Sequence, residues 1–169
     1  MKKYLLDANV FIQSHRRYYP FDVCPGFWQA LAEQHGKKRV FSIDRVRDEL
    51  VQGKDQLQEW VKSVAPTTLF KKTRDVEVIR AYRKLVEWVD EQEQYTEAAK
   101  AEFADAADGW LVAFAKANQL VVVTQEEFNA DAKARVLIPN LCRAFSVEYV
   151  NKFEMLRELG VRLVLGRSK

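Results

Sequence analysis

Two cysteines in 169 residues, Cys24 and Cys142, are too few and too far apart to make a disulfide framework. Neither has a second cysteine or a histidine at ligand spacing, which excludes a zinc site of the usual kind. The two histidines, His15 and His35, stand in no Ser-His-Asp or Cys-His arrangement, so nucleophilic catalysis of that type is not indicated. Nowhere do about eighteen apolar residues run together, the length needed to span a bilayer. Two lysines open the chain, but the apolar run behind them breaks at Asp7 after three residues, unlike a secretory signal. The net charge of +3 permits an anionic partner without demanding one. Internal repeats, low-complexity stretches and linkers are also missing. The expectation is one soluble domain over residues 1–169, in a reducing cytoplasm, with both thiols serving as small hydrophobes and no membrane partner.

What is present begins at Tyr4-Leu5-Leu6, a short apolar run that ends at Asp7. Such a run, bounded by polar residues, suits an inner strand of a parallel sheet covered by helices on both faces. Val40-Phe41-Ser42-Ile43 reads as a second strand and Leu120-Val121-Val122-Val123-Thr124, rich in β-branched residues, as the clearest one. Val136-Leu137-Ile138 and Val161 to Leu165 are shorter candidates, the latter at an edge. Val64 to Phe70 is ambiguous because Pro66 disfavours a central strand. Helices are expected from Asn9 to about Tyr18, from Pro25 to Gly36, from Asp44 to about Gln52 and from Asp55 to about Lys62. Further helices are expected over Arg74–Asp90, from about Glu97 to Asn118, and from Ser146 to Gly160. Strands alternating with helices predict an α/β domain with a parallel sheet.

Ligands of such sheets bind beyond the carboxyl ends of the strands, which makes Asp7 a candidate site residue; as an alternative it caps the next helix. Most of the 24 acidic residues must be solvated surface, so position has to select among them. Glu49 lies on the shoulder of the inward stripe Ile43, Val46 and Leu50. Asp108 falls inside the strip Ala104, Leu111, Val112 and Ala115 of a helix that is apolar nearly all round, with Asp105 beside it. No Lys or Arg stands one turn from Asp108, which favours a metal ion or a distant donor over a local ion pair. Thr124 and Glu126 occupy the end of the strand expected beside Asp7, although Glu126 and Glu127 also suit the first turn of a helix. Carboxylates about 4 Å apart repel by roughly 4 kcal/mol at an effective dielectric near 20. Four acids on one sheet edge therefore call for a cation. An all-oxygen site suits Mg²⁺ or Mn²⁺, with hydrolysis of a phosphodiester as the chemistry implied.

Leu6-Asp7-Ala8-Asn9, Asp48-Glu49-Leu50, Ala107-Asp108-Gly109-Trp110-Leu111-Val112-Ala113 and Val123-Thr124-Gln125-Glu126, in that order, resemble the PIN-domain nucleases, in particular toxins of the VapC type. The resemblance runs over nearly the whole chain. It implies a three-layer α/β/α sandwich with a central, mostly parallel sheet. It implies a Mg²⁺- or Mn²⁺-dependent endoribonuclease, often a homodimer, held inactive by a cognate antitoxin. Asp7, Glu49 and Asp108 match the three central acids. Glu126 matches a fourth that is often Asp, so its longer side chain suggests a water-mediated ligand. Thr124 matches the hydroxyl that steadies the first Asp, Asn9 a polar residue near it, and Asp105 an accessory acid.

Arg16, Arg17 and Tyr18, with His15 and Tyr19, combine cationic and stacking groups after the first strand and are the expected RNA contacts; a plain solvated face is the alternative. Trp28, Trp60, Trp88 and Trp110 are expected in core or dimer packing. Three other functions compete. A phosphatase of the haloacid dehalogenase type needs a second Asp two residues after the first, where this chain has Asn9. A stand-alone RNA-processing nuclease or a non-catalytic PIN-like binding module would share the fold without an antitoxin.

Overall fold

A computed structural model describes residues 1–166. Among them, β1 (Tyr4–Leu6), β2 (Val40–Ile43), β3 (Phe70–Lys71), β4 (Val121–Val123) and β5 (Tyr149–Val150) form a sheet in the order β3-β2-β1-β4-β5. Every neighbouring pair is parallel, with Leu5 opposite Phe41 on one side and Leu6 opposite Val123 on the other. Nine α-helices accompany them among the described residues: α1 (Ala8–Gln13), α2 (Pro25–Gly36), α3 (Asp44–Gln52), α4 (Gln56–Ser63), α5 (Val76–Glu91), α6 (Glu97–Asp105), α7 (Asp108–Asn118), α8 (Ile138–Ala144) and α9 (Lys152–Glu158). None of the described helices is long and apolar enough to cross a membrane.

Parallel crossovers are right-handed, so the direction of each step along the sheet decides which face its helices cover. From β1 to β2 to β3 the chain steps one way, and α1 to α4 share a layer in which α1 touches α3 and α3 packs on α4. From β3 the chain crosses back to β4 and β5, and α5, α7 and α8 pack together in the other layer. The sheet is thus covered on both sides, which is why Tyr4, Leu5, Leu6, Val122 and Val123 carry no alternation of polar residues and are wholly buried. This is the three-layer α/β architecture expected from the sequence, consistent with a PIN-like fold. The reversal of strand order falls between β1 and β4, and a crevice opens at their carboxyl ends there.

Four local expectations are corrected. The helix expected from Glu97 to Asn118 breaks at Ala106, whose backbone is extended (φ −82°, ψ 159°), and restarts at Asp108. The apolar residues continue on both sides of the break, and the turn lets the Phe103 ring pack against Gly109. Val136-Leu137-Ile138 is no strand: Pro139 sits in the first turn of α8, where its missing N–H is harmless. Ser146 adopts a left-handed conformation (φ 53°) instead of starting a helix, and β5 follows it. The helix begins at α9, where Asn151 and Glu154 form a reciprocal capping box. Val161 to Leu165 pairs with no strand, and Val164 and Leu165 are left exposed. In addition, the helix after β1 widens into a π-helical turn over Ser14–Tyr18, and the ambiguous stretch supplies a 3-10 turn and β3.

Candidate functional site

Asp7 directly follows β1, and its backbone N–H donates to Val123 O at 3.0 Å, which aligns the ends of β1 and β4. Its side chain does not cap α1. Instead Oδ2 accepts from Thr124 Oγ1 at 3.3 Å, while the same hydroxyl accepts from Glu126 N–H at 3.2 Å. Thr124 therefore links the two acids of adjacent strand ends. Asp7 is 2% exposed, so its carboxylate has lost nearly all contact with water.

Burial raises the Asp7 carboxyl well above the usual range, and the nearby charges of Asp108, Glu126 and Glu49 push it in the same direction; only the Thr124 hydrogen bond opposes them. Asp108, the first residue of α7, is pushed up to about 7 by burial and by Glu126, against the pull of Arg135. Glu49, on α3, is raised by burial and lowered by Arg135. Asp7 and Asp108 thus both feel the charges of Glu126 and Glu49 across the crevice. Glu126 lies in the loop after β4 rather than in a helical turn, and Oε2 accepts from Ile138 N–H at 2.7 Å.

Arg135, from the loop before α8, lies 2.9 Å from Glu126 Oε1 and 3.8 Å from Asp108 Oδ2. The nearer contact is an ion pair by distance but not by direction: Glu126 Oε1 is buried and, among the described residues, has no hydrogen-bond partner. A groove of about 380 Å³ runs over this region, lined by Arg45, Glu49, Glu102, Asp105, Asp108 and Arg135. Arg45 is held in place, its Nε donating to Thr73 Oγ1 at 3.2 Å and its guanidinium lying 3.9 Å from the Trp110 ring centre. Trp110 in turn stacks on Tyr82 at 3.8 Å.

For a hard divalent ion the donors fit in kind, being carboxylate oxygens with one buried oxygen left without a hydrogen bond. They are not assembled around a common point. Among the described residues, no three His, Cys, Asp or Glu side chains are gathered closely enough to hold an ion. Arg135 stands where such a charge would be shared by Asp108 and Glu126.

A family model described as a domain of unknown function, DUF4411, matches residues 4–163. The chain belongs to the DUF4411 family. Among curated proteins none is similar enough in sequence to match. The fold is similar to that in the crystal structure of FitAcB from Neisseria gonorrhoeae, with a TM-score of 0.53 at 18% identity, over 89% of this chain and 98% of that one. At that identity the likeness speaks for the fold alone.

In this DUF4411 chain, then, Glu49, Asp105 and Asp108 line the groove, while Asp7, Thr124 and Glu126 lie at the neighbouring strand ends, near enough for Asp7 to feel the charges of the other site acids. Asn9 is half-buried in the first turn of α1. Arg16 and Arg17 are exposed on the π-helical turn and line neither the groove nor the cavity beyond Thr124; Tyr18 instead packs edge-on against Phe153 at 5.7 Å. Of the four tryptophans, Trp28 and Trp60 are buried against each other at 4.8 Å, while Trp88 and Trp110 are half-buried. Arg45 and Arg135 escaped the sequence reading. The lack of a cation one turn from Asp108 favoured a metal ion or a distant donor, and Arg135 stands as such a distant cation, but nothing in the spacing of residues 125–137 marks which residue it is.

Proposed function

We propose that this chain is an endoribonuclease that hydrolyses RNA phosphodiester bonds with Mg²⁺ or Mn²⁺ and acts as the toxin of a toxin–antitoxin pair. The observation that carries this reading is the burial of Asp7 and Asp108 beside the charges of Glu126 and Glu49, at the strand ends where the sheet order reverses. Acids so placed are costly to the fold, and a substrate-binding, cation-requiring site is the economical reason to keep them. Asp7, Glu49, Asp108 and Glu126 would hold the ion, Glu126 through a water. The bound ion would lower the pKa of a water to make it a nucleophile and would neutralise charge building on the phosphate. Thr124 fixes the Asp7 carboxylate, Arg45 offers a positioned guanidinium to a backbone phosphate in the groove, and Arg135 can turn from its two acids to the reacting phosphate. The site is proposed to lie in the cytoplasm, with a small antitoxin protein and a second copy of the chain as partners.

The test is cleavage of single-stranded RNA with Mn²⁺, and its loss in Asp7→Asn and Asp108→Asn variants whose circular dichroism is unchanged. Cleavage that survives Asp108→Asn would remove the proposal. Phosphate release from a small monoester would point to a phosphatase, a reading that Asn9 already disfavours. A second reading has an observation of its own. With Arg135 already paired to two acids and no three acids gathered, a non-catalytic module that binds RNA would also fit, and it predicts RNA binding without cleavage in any divalent ion.

A further inference from the structure

A second cavity, of about 500 Å³, is lined by Thr124, Glu126, Phe128, Arg143, Tyr149 and Phe153 among others. Thr124 and Glu126 belong to the carboxylate site as well, so the cavity borders it. Two of its walls are aromatic rings that the core does not need: Phe128 is 38% and Phe153 37% exposed. Both are nevertheless held in place. The Arg143 guanidinium lies 3.6 Å from the Phe128 ring centre, and its Nε donates to Tyr149 Oη at 3.2 Å. Phe153 is met edge-on by Tyr18 with an interplanar angle of 87°, and the ammonium of Lys152 lies 5.1 Å from its ring and 3.9 Å from that of Tyr18.

Apart from Val150 the rest of the lining is polar, with Glu126 and Glu127 beside Gln125, Asn151 and Arg143. Gln125 Oε1 accepts from Lys152 N–H at 3.0 Å, which leaves the amide nitrogen of the same group as a donor beside the cavity. An apolar side chain of a protein partner would want a closed hydrophobic pocket. Separate, pre-oriented rings with a cation and amide donors suit a flat polar heterocycle joined to a phosphate. The volume falls within the range of small-molecule sites, about 300–1,000 Å³.

We propose that this cavity is a nucleobase subsite: an unpaired base next to the scissile phosphate stacks on Phe128 and Phe153, and Arg143 meets the adjoining backbone phosphate. The proposal rests on the nuclease reading and adds what selects the cut position, an unpaired rather than a paired nucleotide.

The experiment is fluorescence anisotropy of a labelled single-stranded hexaribonucleotide of mixed sequence, titrated in EDTA so that no cleavage occurs. An RNA duplex of the same length serves as the comparison. The wild-type chain is expected to bind the single strand more tightly than the duplex. Phe128→Ala and Phe153→Ala are each expected to weaken single-strand binding about tenfold, in line with the loss of one stacked base. Phe128→Tyr should restore it, and Phe128→Leu, apolar but unable to stack, should not. Equal affinities across this series overturn the subsite, as does a loss confined to binding of a partner protein. If wild type cleaves RNA and the alanine variants cut at the same positions with unchanged affinity, the subsite fails while the nuclease stands. If the variants lose binding and wild type cleaves nothing, the nuclease fails and the subsite stands. Absence of any RNA binding by wild type overturns both.

Discussion

The guanidinium of Arg135 stands 2.9 Å from Glu126 Oε1 and 3.8 Å from Asp108 Oδ2, so the chain supplies its own cation where two of its site acids meet. The side chain is half exposed, which leaves it room to swing away and limits what the pair contributes to stability. A divalent ion entering the crevice has to share the carboxylates with Arg135 or displace it. Arg135→Ala should therefore bind Mn²⁺ more tightly, by about three- to tenfold, or roughly 0.7–1.4 kcal/mol. Titration calorimetry reads this without reference to catalysis. Weaker binding in the variant would mean that Arg135 organises the acids for the ion instead of competing with it.

Asp108 titrates far from its ordinary range, at about 7, because burial and Glu126 penalise its charge. The sign of the stability effect follows. Between about pH 4 and pH 7 the folded chain keeps a proton that the unfolded chain has released, so stability falls as pH rises through that window. Asp7, raised for the same reasons, adds to the slope. In EDTA, Asp108→Asn should be more stable than wild type at pH 7.5 by about 1–3 kcal/mol and should lose that advantage near pH 4. Thermal melts across pH at constant ionic strength measure it. A variant no more stable at pH 7.5 than at pH 4, relative to wild type, would show that Arg135 already neutralises the site.

How much of this was legible in the sequence depends on what set each feature. The β1 and β4 strands were, because burial on both faces leaves Tyr4-Leu5-Leu6 and Val121-Val122-Val123 without a polar residue, and their parallel pairing then brings Asp7 beside Thr124. Asp108 was legible as an acid on an otherwise apolar surface, and Glu49 as one on the shoulder of the inward stripe of its helix. The break before Asp108 was not: Ala106 and Ala107 are good helix formers, and the turn is imposed by tertiary contact of Phe103 with Gly109. Arg135, Arg143 and Phe128 act through loops whose paths no periodicity encodes. The short β5 was hidden in a stretch that reads as helix, since two residues are too few to show alternation.

Gly109 is the contact that fixes Asp108. A Cβ built there would lie 2.7 Å from Phe103 Cζ and 3.0 Å from Tyr82 Cε2, both on rigid rings. Gly109→Ala should destabilise the chain by about 1–3 kcal/mol, because neither ring can turn aside without disturbing the Tyr82–Trp110 stack. The shift would carry Asp108, one residue away, out of the crevice. Chemical denaturation reports the loss of stability, and the Asp108 carboxyl, followed by NMR, should fall towards the ordinary carboxylate range as it reaches water. A neutral or stabilising substitution, as expected of alanine in an unconstrained helix, would refute the close approach.

Lys152 presents the reverse case, a buried cation. It is wholly buried, its Nζ donating to Ser14 Oγ at 3.2 Å and lying 3.9 Å from the Tyr18 ring centre and 4.9 Å from that of Tyr19. Aromatic faces and one hydroxyl repay only part of the lost hydration, and burial lowers its pKa from 10.5 to about 8. Between about pH 8 and pH 10.5 the unfolded chain holds a proton that the folded chain has given up, so stability from this group rises with pH there. Lys152→Met keeps the length and removes the charge. It should stabilise the chain by about 1–3 kcal/mol at pH 7, and the gain should fade towards pH 10. If the ammonium is what holds Tyr18 and Phe153 in their edge-on arrangement, the same variant should also weaken single-stranded RNA binding at pH 7. A more stable protein that binds RNA less well would show that the charge is kept for the surface above it and not for the fold.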